Sequence, residues 1–346
     1  MRTTYVSGLL ALGASVAARS NIILETDLFS DVDDVGALLL ATTLKQSNLL
    51  AVNINVPSSY SALAGSALLG YYGHPDTPLG IAQPIDDRTF FDGWAFKLGE
   101  YTSKVGYHFR EYSSLAWDAD DKGKLSVNET WDAVKLYRKV LSEAEDDSIT
   151  ICSIGFFNNL SGLLNSTADE FSSLSGPQLI AAKVKELVIM GGEYPAGREY
   201  NFFGDNPLYT AHVVNNWQGK MTFSGAELGG NVFSGAGLMK DGPDADPAKK
   251  GYLWYTYGEA RESWDPLTLV YAVLGLDDWF EYAGQGGRNH VFPNGSNEWV
   301  WDEQDTRGEQ RWLKLKPSYE TAGMWLDELY LKGAREAVRG CKHKRH

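Results

Sequence analysis

The sequence predicts an α/β fold: a mainly parallel open sheet with helices on both faces, and an antiparallel hairpin near the C-terminus. Two observations carry this. Short apolar runs of strand length alternate with segments of helical period from residue 22 to residue 224. After Arg288 the pattern changes to short aromatic-rich runs around Pro293-Asn294-Gly295, which suits a hairpin packed on the domain edge.

Taken in order, Ile22-Ile23-Leu24 begins the first strand, and Val35, Leu38, Leu39 and Thr42 mark one side of the first helix. Residues 49–55 read as a second strand, 60–72 as a helix with small residues on one face, and 79–82 as a short apolar run. Residues 86–128 lack clean periodicity and are rich in aromatics, Phe90, Trp94 and Tyr107 among them. They read as a long insertion or lid, not a βαβ unit. Then come a helix over 130–144, strands over 148–153 and 184–190, a helix over 207–217 and a strand over 221–224. The hairpin is expected over 288–315, with Val291, Trp299, Trp301, Trp312 and Leu315 in its runs. No repeat or low-complexity linker divides the chain, so residues 19–340 are expected to form one domain.

The chain has 346 residues and a formal charge of −14. That balance disfavours binding to a phosphate backbone and suits a soluble protein that holds a cation. Residues 1–18 read as a secretory signal. Arg2 is the positive start, residues 6–12 the apolar stretch, and Val16-Ala17-Ala18 the small residues for cleavage. The apolar stretch is too short for a membrane span. The expected location is extracellular. Asn128, Asn159, Asn165 and Asn294 begin Asn-x-Ser/Thr sequons compatible with that route. Cys152 and Cys341 are not expected to pair.

The most informative segment is Glu25-Thr26-Asp27-Leu28-Phe29-Ser30-Asp31-Val32-Asp33-Asp34. It delivers carboxylates at a strand-to-helix exit, where parallel α/β proteins place chemistry. Asp27, Asp33 and Asp34 cannot share one small site unless a cation neutralises them, and hard oxygen ligands suit calcium or magnesium. The structural alternative is a helix cap, which would account for Asp31 or Asp33 but not Asp27. An EF-hand is rejected, because Thr42 falls where a bidentate Glu is needed.

Four further segments follow or flank predicted strands: Gly155–Leu160, Met190-Gly191-Gly192, Glu199-Tyr200-Asn201 and Ser263-Trp264-Asp265-Pro266. Each has an ordinary reading as a turn or a cap; Asp265 before Pro266 would be an N-cap with Pro at the first helical position. Together they place Asp, Glu and Asn side chains where an open sheet binds ligands. No Ser-His-Asp order, zinc spacing or Walker motif is present.

These segments, in this order and spacing, resemble the inosine–uridine-preferring nucleoside hydrolase family, in a variant with two extra residues in the first loop. The resemblance runs from residue 21 to residue 335. It implies a calcium-dependent hydrolysis of the N-glycosidic bond of a purine or pyrimidine ribonucleoside, or of another ribosylated metabolite. It implies Ca2+ ligands at Asp27, Asp34 and Asp265, with a main-chain carbonyl from Asn158. Asp27 would also act as general base toward a metal-bound water, and Asp33, Glu199 and Asn201 would hold ribose hydroxyls. The implied partner is a small-molecule nucleoside, with neither nucleic acid nor membrane, and a homo-oligomer is left open.

Three positions depart from the family. Trp264 stands where many members carry the histidine that protonates the leaving base, so its expected role is substrate binding. Glu25 replaces the first Asp of the commonest signature. Ser58 falls near an Asn that touches substrate. His108 and Glu227 are the candidates for an acid placed elsewhere. The competing class is a non-catalytic, calcium-dependent ribose- or glycan-binding protein derived from such an enzyme.

Overall fold

The computed structural model describes residues 19–115, 130–302 and 309–343. The expected signal and the sequon at Asn128 lie outside these residues.

Ile22, Ile23 and Leu24 are all fully buried. Successive side chains of a strand point to opposite faces, so such a run needs cover on both sides. Ile22 and Leu24 join one apolar cluster with Leu38, Leu68 and Leu269. Ile23 joins a second, with Leu136, Leu160 and Phe223. The two clusters lie on the two faces of one sheet.

That sheet has nine strands, in the spatial order Phe280–Gly284, Gln310–Leu315, Met221–Ser224, Val184–Met190, Ile149–Ser153, Ser20–Thr26, Ser47–Ile54, Leu79–Ile81 and Trp131–Asp132. Neighbours pair in parallel except Phe280–Gly284, which runs antiparallel to Gln310–Leu315. From the first strand the chain builds outward on one side as far as Trp131–Asp132. It then returns to place Ile149–Ser153 on the other side. The strand order therefore reverses at Ser20–Thr26, and a crevice opens at the carboxyl ends of Ser20–Thr26 and Ile149–Ser153.

The first helix is Asp33–Thr43 and packs against the helix Trp264–Leu274, which comes from the far end of the sequence.

The hairpin is real but smaller than expected. Gly287–Val291 pairs antiparallel with Asn297–Trp301, and Gly295 takes a positive φ of 81° at the turn. Trp312 and Leu315 are not part of it. They lie in Gln310–Leu315, which enters the main sheet beside Met221–Ser224. The aromatic runs looked alike in sequence because both strands bury one face against Tyr194: Trp299 and Trp312 each pack on its ring. The described part of the aromatic insertion, residues 86–115, contains the helix Thr102–His108 and a 3-10 turn at Arg110–Tyr112, and its expected remainder lies outside the described residues.

Candidate active site

The carboxylate segment leaves the central strand at the topological switch. Thr26 ends the strand, and its hydroxyl donates to Asp34 Oδ1 while accepting the Leu28 N–H at 3.0 Å. This bond pulls the start of the helix Asp33–Thr43 back onto the strand end. Asp34 Oδ2 is buried with no partner. A buried carboxylate oxygen left bare is costly, so it is an oxygen suited to a cation.

Asp33 does not cap its own helix, and neither does Asp31. The N-cap is Val32, with no side-chain cap. Asp33 Oδ2 instead accepts the backbone N–H groups of Trp264 at 3.0 Å and Asp265 at 3.1 Å. It caps the helix Trp264–Leu274, whose first N–H groups have no helical partner. Asp265 is likewise not an N-cap. Ser263 occupies that position, and Asp265 sits in the first turn.

This cap brings Asp265 to the first motif. Carboxylate oxygens of Asp33, Asp34 and Asp265 lie within 4.8 Å of one another, and all three residues are buried. Burial first, and repulsion by neighbouring carboxylates second, push all three groups well above the usual range. They can be ionised together only with a cation among them. An all-carboxylate donor set suits a hard divalent ion.

Asp27 lines the same cavity, and its Oδ2 accepts the Ser30 hydroxyl at 3.2 Å. Burial raises its carboxyl to about 7. Gly155 allows the next strand end to approach it: a Cβ there would lie 2.5 Å from the Asp27 amide nitrogen. The close cluster thus contains Asp33, with Asp27 beside it in the cavity wall.

The cavity has a volume of about 570 Å³. Glu199 and Asn201 form part of its wall. Glu199 Oε1 accepts the Asn201 N–H at 2.7 Å and Oε2 accepts the Gly192 N–H at 3.1 Å. Burial raises its carboxyl to about 8. The Asn201 amide nitrogen faces the Ile154 and Met190 carbonyls at 3.3 Å each. Trp264 also lines the cavity, but its indole N–H donates to the Ala226 carbonyl at 2.8 Å. The ring is available to a ligand; its N–H is committed.

Other candidates lie elsewhere. Asn158 starts the helix Asn158–Asn165, and its amide donates to the Asn55 carbonyl at 2.9 Å. Its Oδ1 is buried without a partner. Glu25 points away from the cavity. It accepts from Tyr137 at 2.7 Å, Asn159 at 2.8 Å and Asn55 at 3.1 Å. Its extra methylene is absorbed in this buried network. Ser58 is buried and donates to the Arg88 carbonyl at 2.7 Å. His108 is exposed, its ring 5.3 Å from that of Trp254. Glu227 accepts the Tyr194 N–H at 3.2 Å, and burial raises it to about 7, but it does not line the cavity. Neither His108 nor Glu227 is placed to give a proton to a departing base.

Several cavity residues carry no motif in the sequence. Arg261 pairs with Asp31 and also with Glu262 at 2.7 Å, and its guanidinium lies 5.5 Å from the Trp264 ring. Tyr255 donates to the Ser30 carbonyl at 2.7 Å. Asp92 accepts the N–H groups of Trp94, Ala95, Lys97 and Leu98 at 2.8–3.1 Å, which folds the rim loop and leaves Phe91, Trp94 and Phe96 largely exposed. Arg198 stands at the rim on the Glu199 side.

A nine-strand, mainly parallel sheet with a carboxylate cluster at its switch point defines a class. The chain has the fold of the nucleoside hydrolases. A plant nucleoside hydrolase superposes with a TM-score of 0.61 at 17% identity, covering 91% of this chain and 98% of that one. The inosine–uridine preferring nucleoside hydrolase of Bacillus anthracis gives 0.60 at 16%, covering 91% and 99%. The type III effector protein XopQ, complexed with adenosine diphosphate ribose, gives 0.61 at 13%, covering 92% and 95%. No family model matches the sequence, and no curated protein matches it.

Proposed function

We propose that this protein is a calcium-dependent N-glycosidase that releases the base from a ribonucleoside or a related ribosylated metabolite. The observation that carries the reading is the juxtaposition of Asp33, Asp34 and Asp265 on the floor of a cavity walled by Asp27, Glu199 and Asn201. The fold shared with nucleoside hydrolases supports it.

Asp34 and Asp265 would hold the ion, with Asp27 beside them in the cavity wall and Asp33 close enough to share it; the main-chain carbonyl of Asn158 is the ligand that the family resemblance adds, although its side chain lies outside the wall. The bare Asp34 Oδ2 and the mutual repulsion of the carboxylates fit this role. Calcium, when bound, supplies a hard positive charge that neutralises these groups and polarises a water.

Asp27 accepts the proton of the attacking water. The water oxygen bonds to the anomeric carbon as the bond from that carbon to the base nitrogen breaks, and the electron pair leaves with the base. Glu199, Asn201 and the free oxygen of Asp33 hold ribose hydroxyls, and the carboxylates stabilise the oxocarbenium-like charge. Attack opposite the base inverts the anomeric centre. Trp264 stacks on the base and excludes water; its committed N–H gives no proton.

The second reading is a binding protein that holds a ribosylated ligand without cleaving it. The missing acid at position 264 favours it, as does the XopQ complex with adenosine diphosphate ribose. Incubation with a nucleoside panel, with and without a chelator, separates the two. Free ribose that disappears with chelator supports the enzyme, whereas bound but intact ligand supports the binder.

The secretory route is part of the proposal. Asn165 and Asn294 are exposed, whereas Asn159 is buried and bonded to Glu25. Protein recovered from the medium of a eukaryotic host should carry glycans at Asn165 or Asn294 and none at Asn159. Retention inside the cell with an intact leader would reject secretion.

A further inference from the structure

Two arginines line the cavity, and their surroundings differ. Arg261 is neutralised: Asp31 and Glu262 both pair with it. Arg198 has no carboxylate partner among the described residues. Its Nε donates to the Asn294 carbonyl at 3.2 Å, and its guanidinium lies 3.9 Å from the Phe203 ring centroid. These two contacts pin the side chain against the rim and leave both terminal nitrogens without a partner. Among the described residues of the cavity wall, Arg198 is the cation not already matched by an acid.

Its position is specific. Arg198 directly precedes Glu199, which together with Asn201 is assigned above to the ribose hydroxyls. The floor acids Asp33, Asp34 and Asp265 lie in the same cavity and repel any second negative group on a ligand. Such a group is tolerated only at the rim, where an unmatched cation meets it. A guanidinium held by its Nε and by an aromatic face keeps its outer fork free for two parallel bonds to a phosphate.

We infer that Arg198 forms an anion subsite next to the ribose pocket, so that the preferred ligand is a ribosyl compound carrying a phosphate on the ribose, such as a nucleoside 5′-phosphate. This rests on the ribose site of the proposed function and deepens it. The acid-lined cavity alone would select an uncharged nucleoside; Arg198 shifts that selection toward a ligand that is negative at one end. Arg198 is exposed, and its contacts with the Asn294 carbonyl and the Phe203 ring bias the side chain toward the cavity before a phosphate arrives, which lowers the ordering cost of recognition.

The test reads binding and requires no turnover. Calorimetry with calcium present compares ribose with ribose 5-phosphate, for the full protein and for Arg198→Gln. In the wild type, ribose 5-phosphate should bind roughly tenfold or more tightly than ribose, as expected of charge-assisted bonds. In Arg198→Gln that ratio should collapse toward one, while Arg198→Lys, which keeps the charge but not the fork, should retain part of it. The preference should also weaken as salt rises. The ratio within each protein cancels any general damage to the ribose pocket. If ribose binds and the phosphate adds nothing, the subsite is rejected and the ribose site stands. The assignment to Arg198 also falls if the preference survives Arg198→Gln. If neither sugar binds, the ribose site itself is wrong, and both readings fall together.

Discussion

The carboxylate of Asp33 accepts the backbone N–H of Asp265 at 3.1 Å, across 232 residues of sequence. The same oxygen accepts the Trp264 N–H at 3.0 Å. One side chain thereby caps a helix and delivers a carboxylate to the cluster. The placement of the helix Trp264–Leu274 and the assembly of the acidic cluster are tied together through this oxygen.

Asp33→Ala should therefore cost stability as well as ligand affinity. Two N–H groups at a buried helix end lose their acceptor, a loss on the order of 1–3 kcal/mol. Asp33→Asn keeps an acceptor and should be the milder change. Denaturant unfolding with calcium present checks this, since the ion offsets the repulsion that the wild-type Asp33 contributes. An alanine variant as stable as wild type would remove the capping role.

Asp34→Ala should abolish metal retention measured by elemental analysis after dialysis. Wild type should melt higher with calcium than with chelator, because an ion bound only by the folded state adds stability in proportion to the logarithm of its concentration. The alanine variant should lose that difference. Full metal occupancy in the variant would reject Asp34 as a ligand.

Asp27→Asn should abolish hydrolysis while ribose affinity falls much less. The proton acceptor is gone, but Glu199 and Asn201 remain in the wall. Activity within about tenfold of wild type would refute the base role.

Trp264→Phe should change base affinity more than the rate of bond cleavage. Phenylalanine keeps a ring and loses only a donor that serves the Ala226 carbonyl. With no acid at this position, p-nitrophenyl riboside should be cut far faster than inosine. Equal rates on the two substrates would mean that another group protonates the base.

Asp92→Ala should loosen the cavity rim. Four backbone N–H groups converge on this carboxylate and hold it well below the usual carboxylate range. Hydrogen exchange at Trp94, Ala95, Lys97 and Leu98 should accelerate, and ligand affinity should fall with little change in global stability. Unchanged exchange at those amides would show that the loop is held by other contacts.

Much of the fold is legible in local pattern. The strand Val184–Met190 and the strand Met221–Ser224 have the bounds their apolar runs predict, and the helix Pro207–Asn216 starts at its proline. Periodicity and turn chemistry act over a few residues, so neighbouring residues encode them. Asp27, Asp33 and Asp34 are also legible as a group. They are covalently close at a strand exit, and their mutual repulsion calls for a cation in any fold.

Partner choice is a different matter. Trp299 and Trp312 share a sequence character but lie in different sheets, because which sheet a strand joins depends on distant edges. Glu25 and Asp27 are two residues apart, yet one enters a buried network with Tyr137 and the other enters the cavity. Asp33 as the cap of a remote helix, the Trp264 N–H spent on Ala226, and the contrast between neutralised Arg261 and unmatched Arg198 have no local signature. Each depends on which groups meet when the sheet closes and its two faces are covered. The sequence by itself determined the strand-and-helix order and the acidic motif. Tertiary structure alone decided which acid caps, which one faces the cavity and which described cation of its wall stays unpaired, because hydrogen bonds and ion pairs form between groups that packing brings together from distant parts of the chain.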